Sequence, residues 1–320
     1  DARAEAHARC AYVEEATALR EQLSGLFTCD QGPGVLPWEG SVNGDFAGAT
    51  NGRLCGVMSP HIDFHRGGPA FAWAYDRIVT ESDAELFVIL GTAHTALSGL
   101  FSVSQKHFDT PLGQAETDRE FVESFYNRYR MRTDEPAALQ VFRDELPHRR
   151  EHSIEFQALM LQFALGGRRD YRIVPILVGS FHHFVTQSQL PQESAAVDNF
   201  IAALRDTVAD CRQNVCFVAG VDMAHIGSQF GDDGEVDEKR LKEQWADDQQ
   251  LLAHACAVDS AGWFGHVAAT KDRNRICGLA PVSTMLEATG TNRGELLCYD
   301  QAVAEDGTSC VSFASAAFYE

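Results

Sequence analysis

The chain has 320 residues, 45% hydrophobic and 22% charged, with a formal net charge of −20. This composition is ordinary for a folded globular protein, and the length suffices to bury a sizeable core in one large domain or two small ones. The negative charge argues against nucleic acid and anionic membranes as partners, and no apolar run approaches the roughly 18 residues that span a bilayer.

Residues 2–26, rich in Ala, Glu, Leu and Arg, predict an amphipathic helix, and Gly, Pro and Asn over 30–52 predict a loop leading into the core. Leu54 to Ser59, closed by Pro60, predicts a first buried strand, followed by a helix over 69–80 and a second strand over 86–91. That β-α-β spacing implies parallel pairing. Leu100 to Val103 predicts another strand, 117–130 a helix, and 151–165 a helix ended by Gly166-Gly167. Tyr171 to Val178 predicts a further buried strand, then a helix over 194–210 and a strand over 215–219. Asp232-Asp233-Gly234 predicts a turn before a charged helix over 237–256. A helix over 279–289 and strands near 296–304 and 310–318 complete the chain. No repeat or dividing linker occurs, so a single domain over 1–320 is expected. Its class is α/β, with a mostly parallel central sheet and helices on both faces.

Two histidines stand just beyond predicted strands: His61 after Ser59-Pro60, and His94 after Gly91-Thr92-Ala93. In an open α/β sheet, ligands bind beyond the carboxyl ends of the strands, so two imidazoles delivered there can share one metal ion. Strand 215–219 likewise runs into Asp222-Met223-Ala224-His225. A spacing of three places Asp222 and His225 on one face of a helical turn, as a general base, a metal ligand or a simple cap. Cys277, before Gly278 and Pro281, opens a helix whose dipole favours a thiolate. Glu151-His152-Ser153 opens another helix, with Glu151 or Ser153 as its cap. No dinucleotide fingerprint, P-loop, nucleophile elbow or H-E-x-x-H occurs. A mononuclear metal is the simplest agent to organise His61, His94 and Cys277.

Nine cysteines are scattered without a C-x-x-C pair, which disfavours a disulfide framework or a zinc ribbon. The chain begins with Asp1 rather than Met, so a trimmed start is expected. With no signal-peptide pattern, the reducing cytoplasm is the expected compartment.

Taken together, Ser59-Pro60-His61 with Gly67-Gly68, Gly91 to His94, Thr110-Pro111-Leu112-Gly113 with Asp118, Glu151 to Glu155, Val174 to Gly179, Asp222 to His225, and Cys277-Gly278 with Pro281 resemble the Memo family. That family is the B component of the AmmeMemoRadiSam system. The resemblance spans about residues 10 to 318 and implies a fold like that of the class III extradiol dioxygenases. It implies a metal pocket at His61, His94 and Cys277, with Asp222 and His225 beside it. A thiolate where the dioxygenases carry a carboxylate shifts metal preference toward Cu(I), Zn or thiolate-tolerant Fe(II). The small or aliphatic Ala93, Ala224 and Ile226 replace bulkier residues frequent in the family and reshape the pocket.

The leading expectation is a non-haem iron oxidoreductase, dioxygenase-like, acting on a small-molecule substrate with O₂. In it Fe(II) sits on His61, His94 and Cys277, His225 oriented by Asp222 moves the substrate proton, and His152 stabilises a developing anion or a bound oxygen. The alternatives are a non-catalytic copper- or iron-binding or peptide-docking module and, more weakly, a zinc hydrolase. Family association implies a radical SAM protein and an AMMECR-like protein as functional partners.

Overall fold

The computed structural model describes residues 2–8, 10–39 and 52–320. Most of the expected loop over 30–52 lies outside the described residues. Four strands form the parallel centre of the main sheet, in the order Leu54–Ser59, Val215–Gly220, Leu86–Thr92 and Arg172–Val178. Its flanks are antiparallel. Phe101–Val103 pairs with Arg172–Val178 on one side, and the hairpin Arg293–Val303/Cys310–Tyr319 joins Leu54–Ser59 on the other. The sheet is therefore mixed, because the C-terminal hairpin and Phe101–Val103 return without a crossover helix.

The apolar residues of these strands supply both faces by alternation. Phe87 and Ile89 pack on one side with Ile173, Leu177, Cys216 and Val218, against helices Ala16–Thr28, Phe64–Glu81 and His152–Leu165. Leu86, Val88 and Leu90 pack on the other with Val174, Ile176, Phe217 and Ala219. Helices Arg119–Tyr129, Ala195–Ala209, Glu238–Cys256, Ser260–Ala269 and Leu279–Thr289 cover that second face. The result is a single α/β domain with helices on both faces, as its sequence pattern implies.

The N-terminal helix is shorter than expected. It forms only over Ala16–Thr28, where the Glu15 side chain caps it by accepting from the Thr17 and Ala18 N–H groups. Upstream, the Ala6 and His7 N–H groups donate to the Glu155 carboxylate, and Ala2–Arg3 pairs as a short strand with His107–Thr110. Tertiary hydrogen bonds there override local helix propensity. Residues His107–Thr110 and Gly113–Ala115 complete a small three-stranded sheet that periodicity does not announce. Helix Ser260–Ala269 also escapes the pattern, because Gly262 and Gly265 lower its propensity; Asp259 nucleates it by capping the Gly262 N–H. Among the described residues, no helix is long and apolar enough to cross a membrane.

Candidate metal centre

All four parallel strands point their carboxyl ends the same way, and His61, His94 and Asp222 follow three of them. The N-terminus of helix His152–Leu165 lies across the same ends. It approaches so closely because Gly91 and Gly220 lack side chains. A Cβ at Gly220 would stand 2.3 Å from the Ser153 carbonyl oxygen, and one at Gly91 would stand 2.6 Å from the Ser153 and Ile154 side chains. This close approach carries His152 up against the two strand-end imidazoles.

Among the described residues, His61, His94 and His152 form the group whose metal-ligating atoms all lie within 4.8 Å of one another. The His94 and His152 rings stack with centroids 4.8 Å apart, and His61 meets them edge-on at 4.9 and 5.1 Å. Two of the rings are locked by hydrogen bonds on the nitrogen away from the cluster. The His61 Nδ1–H donates to the Gly220 carbonyl (2.9 Å), and the His94 Nδ1–H donates to Glu151 (2.8 Å). Each bond fixes a tautomer and frees Nε2 as a donor atom, which is how ligating histidines are held.

The electrostatics keep lone pairs available. Complete burial and then the neighbouring His94 push His61 down to about 3. Burial, then His61 and His94, likewise push His152 down to about 3. Both imidazoles are neutral near pH 7, the form that binds metal. For His94, burial opposes protonation, but the Glu151 hydrogen bond and charge outweigh it and raise its pKa. Burial also opposes ionisation of Glu151, yet its bonds to the His94 ring and N–H hold its carboxyl at about 2. The His61–His94–His152 group can thus hold a transition-metal ion.

Cys277 lies beside this group, its Sγ 3.4 Å from His61 Nε2, and its thiol donates to the Asp222 carbonyl (3.3 Å). The helix dipole does not make it a thiolate here. Burial first, then the nearby Asp222 charge, raise its pKa well above the ordinary thiol value. The loop that delivers it has Lys271, Asp272 and Arg275 in the left-handed region, with φ of 53°, 54° and 54°. Such backbone persists only when over-determined by its surroundings. Arg275 supplies much of that, donating to the His225 carbonyl (2.9 Å) and to Asp232 (2.5 Å).

Asp222 and His225 do not share a helical turn. The segment between them is extended, because Met223 N–H donates to the Ser312 carbonyl and Ala224 N–H to Ser312 Oγ, and His225–Ile226 pairs with Cys310–Val311. Asp222 Oδ1 instead accepts the N–H groups of His61 and Ile62, and its Oδ2 lies 3.5 Å from His61 Nε2. His225 Nδ1 is within bonding distance of the Met223 and Arg275 carbonyls (3.3 and 3.2 Å). A carboxylate near an imidazole favours its protonated form. Burial outweighs Asp222 and lowers the His225 pKa. Asp222 is fully buried, so an Asp222→Ala protein leaves two interior N–H groups without an acceptor. Each such loss costs about 1–3 kcal/mol. We expect a fall of at least about 2 kcal/mol in unfolding free energy by urea titration; a loss under about 0.5 kcal/mol would show that water replaces the carboxylate.

A cavity of about 240 Å³ opens from His94 and Cys277, lined also by Phe181, His182, Asp272, Arg275 and Leu279. Sequence spacing pointed to none of these last five as pocket residues, nor to Glu151 as more than a cap. They meet the site through strand ends and a strained loop, which leave no periodic signature.

The Memo-like protein family model matches residues 3–317 of this chain. A MEMO1 family protein of Methanothermobacter thermautotrophicus is 27% identical over 310 residues, covering 95% of each chain. One of Methanopyrus kandleri is 26% identical over 316 residues, covering 96% of this chain and 95% of its own. One of Thermotoga neapolitana is 30% identical over 220 residues, 68% of each chain. With a match from end to end and the strand-end histidines placed as described, the chain belongs to the Memo-like protein family.

Proposed function

We propose that this protein is a mononuclear non-haem metal oxidoreductase that acts on a small molecule with O₂. The observation that carries this reading is the convergence of three imidazoles, two of them pinned by hydrogen bonds and two held neutral, with His94 lining a cavity of about 240 Å³. His61, His94 and His152 would hold the ion, and the Cys277 thiol beside His61 would add a soft donor on ionising. Fe(II) is the ion this mixed nitrogen and sulfur set suits for oxygen chemistry, with Cu and Zn as competitors. Bound iron would supply the one-electron reactivity toward O₂ that no side chain here possesses.

The chain's own groups do the rest. The apolar wall of Val178, Phe181, Ile276 and Leu279 excludes water and seats a small ligand, with Asp272 and His182 offering polar contacts. His225, neutral and with its Nδ1 facing backbone carbonyls, keeps Nε2 as a proton acceptor. Asp222 anchors the backbone that aims His61.

Protein purified without oxygen should contain close to one iron per chain and consume O₂ with at least one member of a catechol panel. His225→Ala should keep that metal and lose about 10²–10⁴-fold in turnover, the usual effect of a lost general base. Full metal without oxygen uptake would leave a metal-holding module instead, and full activity in His225→Ala would remove that residue from the mechanism.

A further inference from the structure

His152 differs from the other two imidazoles of the cluster in what orients it. His61 and His94 are each pinned by a hydrogen bond on Nδ1. Among the described residues, the His152 ring makes no hydrogen bond, and its one charged neighbour, Glu151, stands 3.5 Å from Nδ1. Ring packing alone sets its orientation. His94 stacks on it, while His61, Phe156 and His7 close around it, the His7 ring edge-on at 5.6 Å.

His7 is the one of these four that comes from outside the core. Its segment runs between the short strand Ala2–Arg3 and the helix Ala16–Thr28 and is tied to the core by hydrogen bonds to one carboxylate. Here the tie is costly in chemistry: the carboxylate of Glu155, itself 5% exposed, accepts from the Ala6 N–H (2.9 Å), the His7 N–H (2.9 Å), the His7 Nδ1–H (3.0 Å) and the Tyr12 hydroxyl (2.7 Å). A buried carboxylate is tolerated only when so fully bonded. Glu155 lies three residues after His152 on the same helix, so the two side chains share a face. Whatever Glu155 holds is thereby delivered to His152.

We propose that His7 is a positioning residue for the metal centre: the segment pinned on Glu155 brings its ring against His152 and holds that imidazole in its donor orientation. The metal readout below rests on the function proposed above, whereas the metal-free readout does not. Three variants of the full chain separate the ring from the tether. His7→Gln keeps a donor for Glu155 and removes the ring, His7→Phe keeps an edge-on ring and removes the donor, and Tyr12→Phe removes a Glu155 bond without touching His152.

The probes are Co(II) binding, followed by its visible absorption, and imidazole NMR of ¹⁵N-histidine-labelled metal-free protein, with the apo thermal midpoint as the check on folding. His7→Gln should weaken Co(II) binding about 10- to 100-fold, the range for lost supports of metal ligands. It should also shift or broaden the His152 resonances while the thermal midpoint stays near that of the wild type. His7→Phe should restore most of the affinity, and Tyr12→Phe should leave the His152 resonances in place. Unchanged His152 resonances in His7→Gln would overturn the proposal, as would equal losses in His7→Gln and His7→Phe. A wild type that takes up no Co(II), with His152 still disturbed by His7→Gln, would sink the metal reading and leave the positioning role standing.

Discussion

Alanine at His61, at His94 or at His152 should each lower the affinity for a divalent transition metal by more than about 100-fold, beyond the range for residues that merely support a ligand. Each of the three supplies one donor atom to a cluster within 4.8 Å, and no other described group of His, Cys, Asp or Glu meets that spacing. Cys277→Ala tests a different contribution. Its thiol is neutral in the metal-free protein, so its recruitment requires a proton to leave as metal enters. Co(II) bound to the wild type should therefore show a thiolate charge-transfer band that Cys277→Ala lacks, with the imidazole variants weakened more than the thiol variant. Because metal binding releases that proton, wild-type affinity should rise with pH more steeply than that of Cys277→Ala. Stoichiometric tight binding in all three histidine variants would contradict the assignment; an unaltered spectrum in Cys277→Ala would confine the centre to imidazoles.

The sequence made His61 and His94 visible because each ends an apolar strand, and strand ends are where an α/β sheet gathers ligands. His152 was also visible as the first residue of a helix, but its nearness to the other two was not. That depends on Gly91 and Gly220 admitting the helix, a fact about volume rather than pattern. Spacing misled at Asp222 and His225. A separation of three suggests a helical turn, yet Ser312, 88 residues after Ala224, captures the intervening backbone and holds it extended. Glu155 and His7 are 148 residues apart, and no local rule joins them. The large elements were legible because periodicity is local. The supports of the site were not, because each is a hydrogen bond or a close approach between distant segments.

The glycine at the end of strand Val215–Gly220 gives a test of that last point. In Gly220→Ala the new methyl would meet the Ser153 carbonyl oxygen at 2.3 Å and the Gln157 side chain at 3.0 Å. A side chain could rotate away, but the carbonyl belongs to the first turn of a helix whose residues Ile154 to Leu161 are fully packed. Either the strand end or the helix must therefore move. Overpacking of this kind costs about 1–3 kcal/mol, and the rigid contact places this variant toward the upper end. The displacement acts on function too, since Ser153 follows His152 directly and Gly220 supplies the carbonyl that orients His61. Metal affinity should therefore fall together with stability. Gly91→Ala provides the comparison, because its methyl would meet side-chain atoms of Ser153 and Ile154 at 2.6 Å, which can yield more readily than a helix backbone. Urea unfolding and Co(II) titration on both variants should rank Gly220→Ala as the more damaged in each measurement. Wild-type stability and affinity in Gly220→Ala would show that the helix start does not ride on this strand end, and the origin of the three-imidazole cluster would have to be sought elsewhere.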